Sequence, residues 1–201
     1  MNRAVAVSAA ALVALACVGT IQAHHSGYMY ETTPIWISGT VVSFDRRNPH
    51  TITTLEYADA DGTVRRWAVE GPGQSQLERM GIAMDVPEVG EVIEFCAHPY
   101  KPEWLRQFST ADADGTPWQL IEGHVMVMPD GEKKFWDPHG MLSECMRSRD
   151  GERQAWLDFL RSDERIMSAW CQQQSYAAAV SNPALGEYIE EIDGLLDDPC
   201  S

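Results

Sequence analysis

The residues of this chain that could do chemistry are its six histidines, His24, His25, His50, His98, His124 and His139. The first two stand in Ala23-His24-His25-Ser26, directly after an apolar run from Ala4 to about Val18 that follows Arg3 and closes on small Ala23. That is the pattern of a cleavable export signal. Cutting after Ala23 frees the α-amino group of His24. That nitrogen and Nδ1 of the same ring can close a chelate on one metal ion, so a single residue supplies two ligands. An α-amine titrates at about 7.7–8.0, so binding at neutral pH displaces a proton, which a strongly Lewis-acidic ion can do. Cu²⁺ heads the divalent affinity series and accepts tetragonal nitrogen ligands, so copper is expected first and zinc second. Completed by a distant histidine, the chelate becomes a histidine brace. The competing reading of the same residues is a frayed, exposed mature start. Leu15-Ala16-Cys17 also resembles a lipoprotein cleavage site, at which lipidation of Cys17 would leave His24 internal; Ala14 stands where that site usually has Leu.

A distant histidine must be brought back to the terminus by the fold. His50 follows Asn48-Pro49 at a strand start, and His98 precedes Pro99 at a strand end. Strand ends in an antiparallel barrel can converge on one mouth, within reach of an arm of about ten residues that carries His24. The expected roles are the His24 amine and Nδ1 as chelate, His50 as the third nitrogen, and His25 or His98 as an additional or supporting group. A ligating imidazole usually donates its second N–H to a carboxylate or carbonyl, for which Glu31 and Glu70 are candidates. His124, mid-strand in Glu122-Gly123-His124, and His139 read as structural. Taken singly, each histidine is more simply an exposed or capped loop residue.

The elements that would do this positioning are legible as alternating segments. Ile35 to Phe44 is extended and rich in β-branched and aromatic residues, with Gly39 marking a bend. Further strands run from His50 to Tyr57, Thr63 to Glu70, Glu91 to Ala97 and Trp118 to Val127, and a short helix from Gln74 to Met80 ends at Gly81. Three strands, a helix and two strands is the order of an OB-type barrel. The fold expected is therefore mainly β, a small OB-like five-stranded β-barrel with a C-terminal α-helical extension. An insertion at about 99–117 carries Ala111-Asp112-Ala113-Asp114-Gly115-Thr116, a repeat of Ala58 to Thr63. Both copies read as hairpin turns, because a calcium loop needs more oxygen ligands and a closing Glu.

Past Pro138 the hydrophobic period changes to that of helices, which divides the chain into a signal peptide (1–23), a barrel (24–137) and an acidic helical tail (138–201). Trp156, Phe159, Leu160, Ile166, Met167 and Trp170 form one stripe, jointed near Ser162-Asp163. Asn182-Pro183 opens a second helix whose apolar stripe includes Leu185, Tyr188, Ile189 and Ile192. The opposite face of that helix is acidic; it reads as a solvated face, with a protein-docking surface as the alternative. Cys96, Cys145, Cys171 and Cys200 remain after cleavage. An even number in an exported chain suggests two disulfides in one of three connectivities, among them one that joins the two tail helices and ties the tail to the barrel.

Composition limits the partners. The net charge is −15, and removal of Arg3 with the signal leaves 14 basic against 30 acidic residues, or −16. Nucleic acid and anionic lipid both need a positive footprint and are disfavoured. Beyond the signal no run approaches eighteen apolar residues, so no membrane span is expected. Gly-x-Ser-x-Gly, His-Glu-x-x-His, Cys-x-x-Cys and phosphate-cradling loops are absent.

His24-His25-Ser26, Gly39-Thr40-Val41, Asn48-Pro49-His50, Trp67-Ala68-Val69-Glu70-Gly71 and His98-Pro99 together resemble the exported proteins grouped as domain-of-unknown-function family 6152. The resemblance runs from about Ala23 to Gly131, interrupted around 100–117. It implies a small exported β-barrel domain without an established activity, and it adds weight to His24, His25, His50 and His98. The function expected is a periplasmic or secreted metal-binding protein that takes copper at its mature terminus. The alternatives are a metal-free OB-like module binding a peptide, glycan or protein, and a copper-dependent redox enzyme.

Overall fold

A computed structural model describes residues 29–31, 33–83, 86–104, 109–136, 142–180, 183–197 and 199–200. The expected signal peptide and cleavage site, with His24, His25 and His139, lie outside the described residues. The strands are β1 (Ile35–Asp45), β2 (His50–Ala58), β3 (Val64–Pro72), β4 (Val92–Pro99), β5 (Ser109–Ala111), β6 (Pro117–Val127) and β7 (Lys133–Phe135). The helices are α1 (Gln74–Met80), α2 (Leu142–Ser148), α3 (Arg153–Arg161), α4 (Glu164–Val180) and α5 (Pro183–Leu195).

Five strands close into the expected barrel. β1 pairs with β2 and β2 with β3, all antiparallel; β3 runs parallel to β6, which returns antiparallel to β4, and β4 pairs with β1. β1 serves two neighbours by turning between them: Ile35 to Thr40 face β4, and Thr40 to Asp45 face β2. Gly39 permits that turn, since a Cβ there would lie 2.8 Å from the Glu56 carbonyl oxygen. β5 and β7 are three-residue additions along β6. Strand and helix contents of the protein are about equal.

Alternation then sorts the side chains. Ile37, Val41, Leu55, Val69, Ile93, Phe95, Ala97 and Ile121 point inward and, with Trp136, fill the barrel. Burying each large apolar side chain contributes roughly 1.5–3 kcal/mol, which is what holds the strands in this register. A second core forms outside the barrel, where Cys96, Val125 and Phe135 meet Leu142, Trp156, Leu160, Trp170 and Ile189 of the helical tail. Of the three disulfide connectivities the structure has Cys96–Cys145, which ties β4 to α2, and Cys171–Cys200, with Cα separations of 5.9 and 5.3 Å. The tail stripe breaks between α3 and α4 at Ser162-Asp163, where the expected joint lies.

The repeated Ala-Asp-Ala-Asp-Gly-Thr segments form two turns of the same design. Asp59 N–H donates to the Thr63 carbonyl and Asp112 N–H to that of Thr116, both at 3.0 Å, while Gly62 and Gly115 take φ of 82° and 83°. Arg66 binds Glu56 of β2 together with Asp112 and Asp114 of the second turn. Asp59 of the first turn binds Arg65, so the acidic side chains are spent on turn geometry and on two guanidinium groups.

Candidate functional site

Because Val69, Ile121 and Ala97 point into the barrel, their neighbours Glu70, Glu122 and His98 point out. Register places these three in one row across β3, β6 and β4, with Glu70 opposite Glu122 and Glu122 opposite His98. His50, at the first position of β2, reaches the same row from the side. Its Nδ1 lies 3.1 Å from Glu70 Oε1 and 3.3 Å from the Gly71 carbonyl oxygen. Both partners accept only, so Nδ1 of the neutral ring carries the proton and Nε2 carries the lone pair.

The N-terminal arm is fastened over this row. Tyr30 forms a β-bridge with Tyr100, Glu31 N–H donates to the Pro99 carbonyl at 2.8 Å, and Lys101 N–H donates to that of Met29 at 2.8 Å. Tyr30 Oη donates to Tyr100 Oη at 3.0 Å, and Tyr100 hydrogen-bonds Glu70 in turn. A continuous chain of donors and acceptors therefore runs Tyr30, Tyr100, Glu70, His50. Met29, Tyr30 and Tyr100 are buried together, with Trp104 and Leu120 beside them. Burial, reinforced by the charge of Glu122, holds the Tyr30 hydroxyl far above the usual phenol range. The Tyr100 hydroxyl is pushed up to about 12, again chiefly by burial.

At the other end of the row two histidines are enclosed together. His98 and His124 are 1% and 2% exposed, with their rings edge to face at 4.6 Å between centroids. His124 Nε2 lies 3.9 Å from Glu122 Oε2. Glu144 of α2 is close enough to feel His124, and burial raises its carboxyl pKa. His124 owes this position to a bulge: Cys96 pairs with Val125 and Ala97 with Gly123, which leaves His124 as the extra residue. Gly123 fixes the bulge, since a Cβ there would fall 2.6 Å from Val69 Cγ1.

The sequence candidates are thus distributed unevenly. His50 and His98 share an outer face but stand at opposite ends of a row filled by Glu70 and Glu122. Glu70, and not the backbone-anchored Glu31, is the carboxylate at the His50 ring. Tyr30, Tyr100, Glu122 and the pairing of His124 with His98 were not foreseen. The one signal available for His124 was Gly123 inside a strand, which marks a bulge or close approach. Among the described residues no group of three or more His, Cys, Asp or Glu side chains is arranged to hold a metal ion. The described site therefore offers His50 as one oriented imidazole.

Residues 11–105 match DUF6152, a family of unknown function. The DUF6152 span begins inside the N-terminal apolar run and ends before β5, so it is shifted toward the N-terminus relative to the resemblance read from the motifs. It contains His24, His25, Tyr30, His50, Glu70, His98 and Tyr100. Glu122, His124 and the helical tail lie outside it. No curated protein shows a significant match to the chain.

Proposed function

We propose that this is an exported metal-binding protein, taking copper ahead of zinc, in which the His24 amine and Nδ1 form a chelate completed by Nε2 of His50. The observation that carries the reading is the orientation of His50. With Nδ1 held by Glu70 and Gly71, the ring is fixed in the tautomer whose remaining nitrogen is a metal donor. Reach supports it as well. Tyr30 is fastened beside Glu70, and the six residues back to His24 span at most roughly 20 Å. His25 remains the candidate for an additional ligand, and His98, enclosed against His124, suits a supporting role. Two disulfides fit a compartment outside the cytoplasm, and no helix among the described residues is long and apolar enough to cross a membrane.

The test is intact mass of protein exported by its own signal, followed by competitive copper titration of the same sample. The expected result is a chain that starts at His24 and binds one copper. His50→Ala should then weaken binding at least about a hundredfold, and Glu70→Gln about tenfold to a hundredfold, the usual effect of losing a carboxylate behind a ligating histidine. A lipidated start at Cys17, or a His24 start indifferent to copper, overturns the proposal and favours a metal-free binding module on the same barrel.

A further inference from the structure

We infer that the groove between the barrel and the helical tail is a binding site for a small amphiphilic anion, a single carboxylate or sulfonate on an apolar body. The groove encloses about 860 Å³ between the end of α1, β7 and the start of α4. That lies within the roughly 300–1,000 Å³ of small-molecule sites, which favour junctions between structural units. Its apolar lining is supplied by Met80, Ile82, Phe135 and Ile166. Met80 and Ile166 pack on the tail core and Ile82 on the barrel core, each only partly buried, so apolar surface of both units is left facing the groove.

Charge selects the ligand. The chain carries 15 Lys and Arg against 30 Asp and Glu, yet in this groove the balance is reversed, with Arg79, Lys133, Lys134 and Arg165 lining it beside three carboxylates, Glu132, Asp163 and Glu164. Two of the cations are engaged within the fold. Arg165 holds Asp163 and the Met80 carbonyl, bracing α4 against α1. Lys133 lies 3.5 Å from Glu152 and over the Trp156 ring. Arg79, exposed in the last turn of α1, has no carboxylate partner among the described residues. Lys134 pairs with Glu132 at 2.5 Å, but the Glu132 side chain is 56% exposed. Such a pair contributes at most about 1 kcal/mol, so a ligand anion seated on the apolar lining can take the place of Glu132. The acidity of the whole chain opposes polyanions and anionic membranes, which restricts the ligand to one negative charge on a small body.

The test is calorimetric titration of the mature protein with decanoate, and with decyltrimethylammonium as the control of opposite charge. One saturable decanoate site is expected, with decyltrimethylammonium binding at least tenfold more weakly. The double variant Arg79→Gln/Lys134→Gln, checked for an unchanged melting temperature, should weaken decanoate at least tenfold, while His50→Ala leaves it unaltered. Equal binding of the two amphiphiles, full affinity in the double variant, or no saturation by about 1 mM, the limit of weak specific binding, overturns the inference. Because decanoate binding is read without copper and His50 does not line the groove, failure here is separate from failure of the metal site.

Discussion

Glu70 and Glu122 stand opposite each other across the parallel pairing of β3 with β6 that closes the barrel. Two carboxylates directly opposite on neighbouring strands repel one another, and the surroundings answer with one histidine for each. His50 Nδ1 is 3.1 Å from Glu70, and His124 Nε2 is 3.9 Å from Glu122. The seam is therefore a polar strip on the outside of a barrel whose inside is apolar, and the N-terminal arm is fastened along it by Tyr30 and Tyr100.

The tyrosine pair should make stability fall at alkaline pH. An unfolded tyrosine ionises at about 10. Folded Tyr100 holds its proton to about 12, and Tyr30 holds its proton beyond that range. Above about pH 10 the unfolded chain binds fewer protons than the folded one, so the contribution is complete below that pH and is lost as pH rises through the folded values. Thermal melts between pH 8 and pH 12 should decline from about pH 10, with delayed phenolate absorbance near 295 nm. Tyr100→Phe should flatten part of the decline, leaving the shares of Tyr30, still raised by burial, and of Tyr188, which burial also raises to about 12. A tyrosine titration complete by about pH 10.5 would contradict the burial of the pair.

Two glycines should respond differently to alanine. At Gly71 a Cβ would lie 2.0 Å from Nε1 of Trp136, which fills the barrel and is fully buried. Gly71→Ala should cost about 3 kcal/mol, the upper end of an overpacked core. At Gly62 the space is open and only the φ of 82° resists a side chain, so Gly62→Ala should cost about 1 kcal/mol. Urea unfolding of both variants measures the difference, and equal losses would place Trp136 elsewhere.

Removing Cys96–Cys145 should loosen the tail from the barrel. The bridge closes a separation of 49 residues, for which loop entropy predicts a contribution of about 4 kcal/mol. Cys96→Ala/Cys145→Ala should lower the melting temperature by about 8–15 °C. It should also expose the α2–α3 connection to limited proteolysis before the barrel strands are cut. Early cleavage within β1 to β3 would mean that the barrel depends on its tail.

Local periodicity and turn chemistry, both legible along the chain, account for most of the elements. Alternation from Ile35, the strand beginning at His50, the Gly62 and Gly115 turns, the joint near Ser162 and the OB-type order of elements all rest on neighbours a few residues apart. β5, β7 and α2 are too short to establish a period, and they escaped it. At the site, Asn48-Pro49-His50 pointed to His50, while Glu70 and Glu31 stood as equal candidates for the carboxylate behind it. Which distant residues meet is settled by the packing of the folded chain. Tyr30 finds Tyr100 across 70 positions, and Cys96 selects Cys145 because both occupy one outer core. His124 turns toward His98 because Gly123 must fit against Val69 and Phe95, which inserts one residue into β6. That shift is a steric consequence of strands far apart in sequence, and in a structure with a period of two, one inserted residue changes the face on which every later side chain lies.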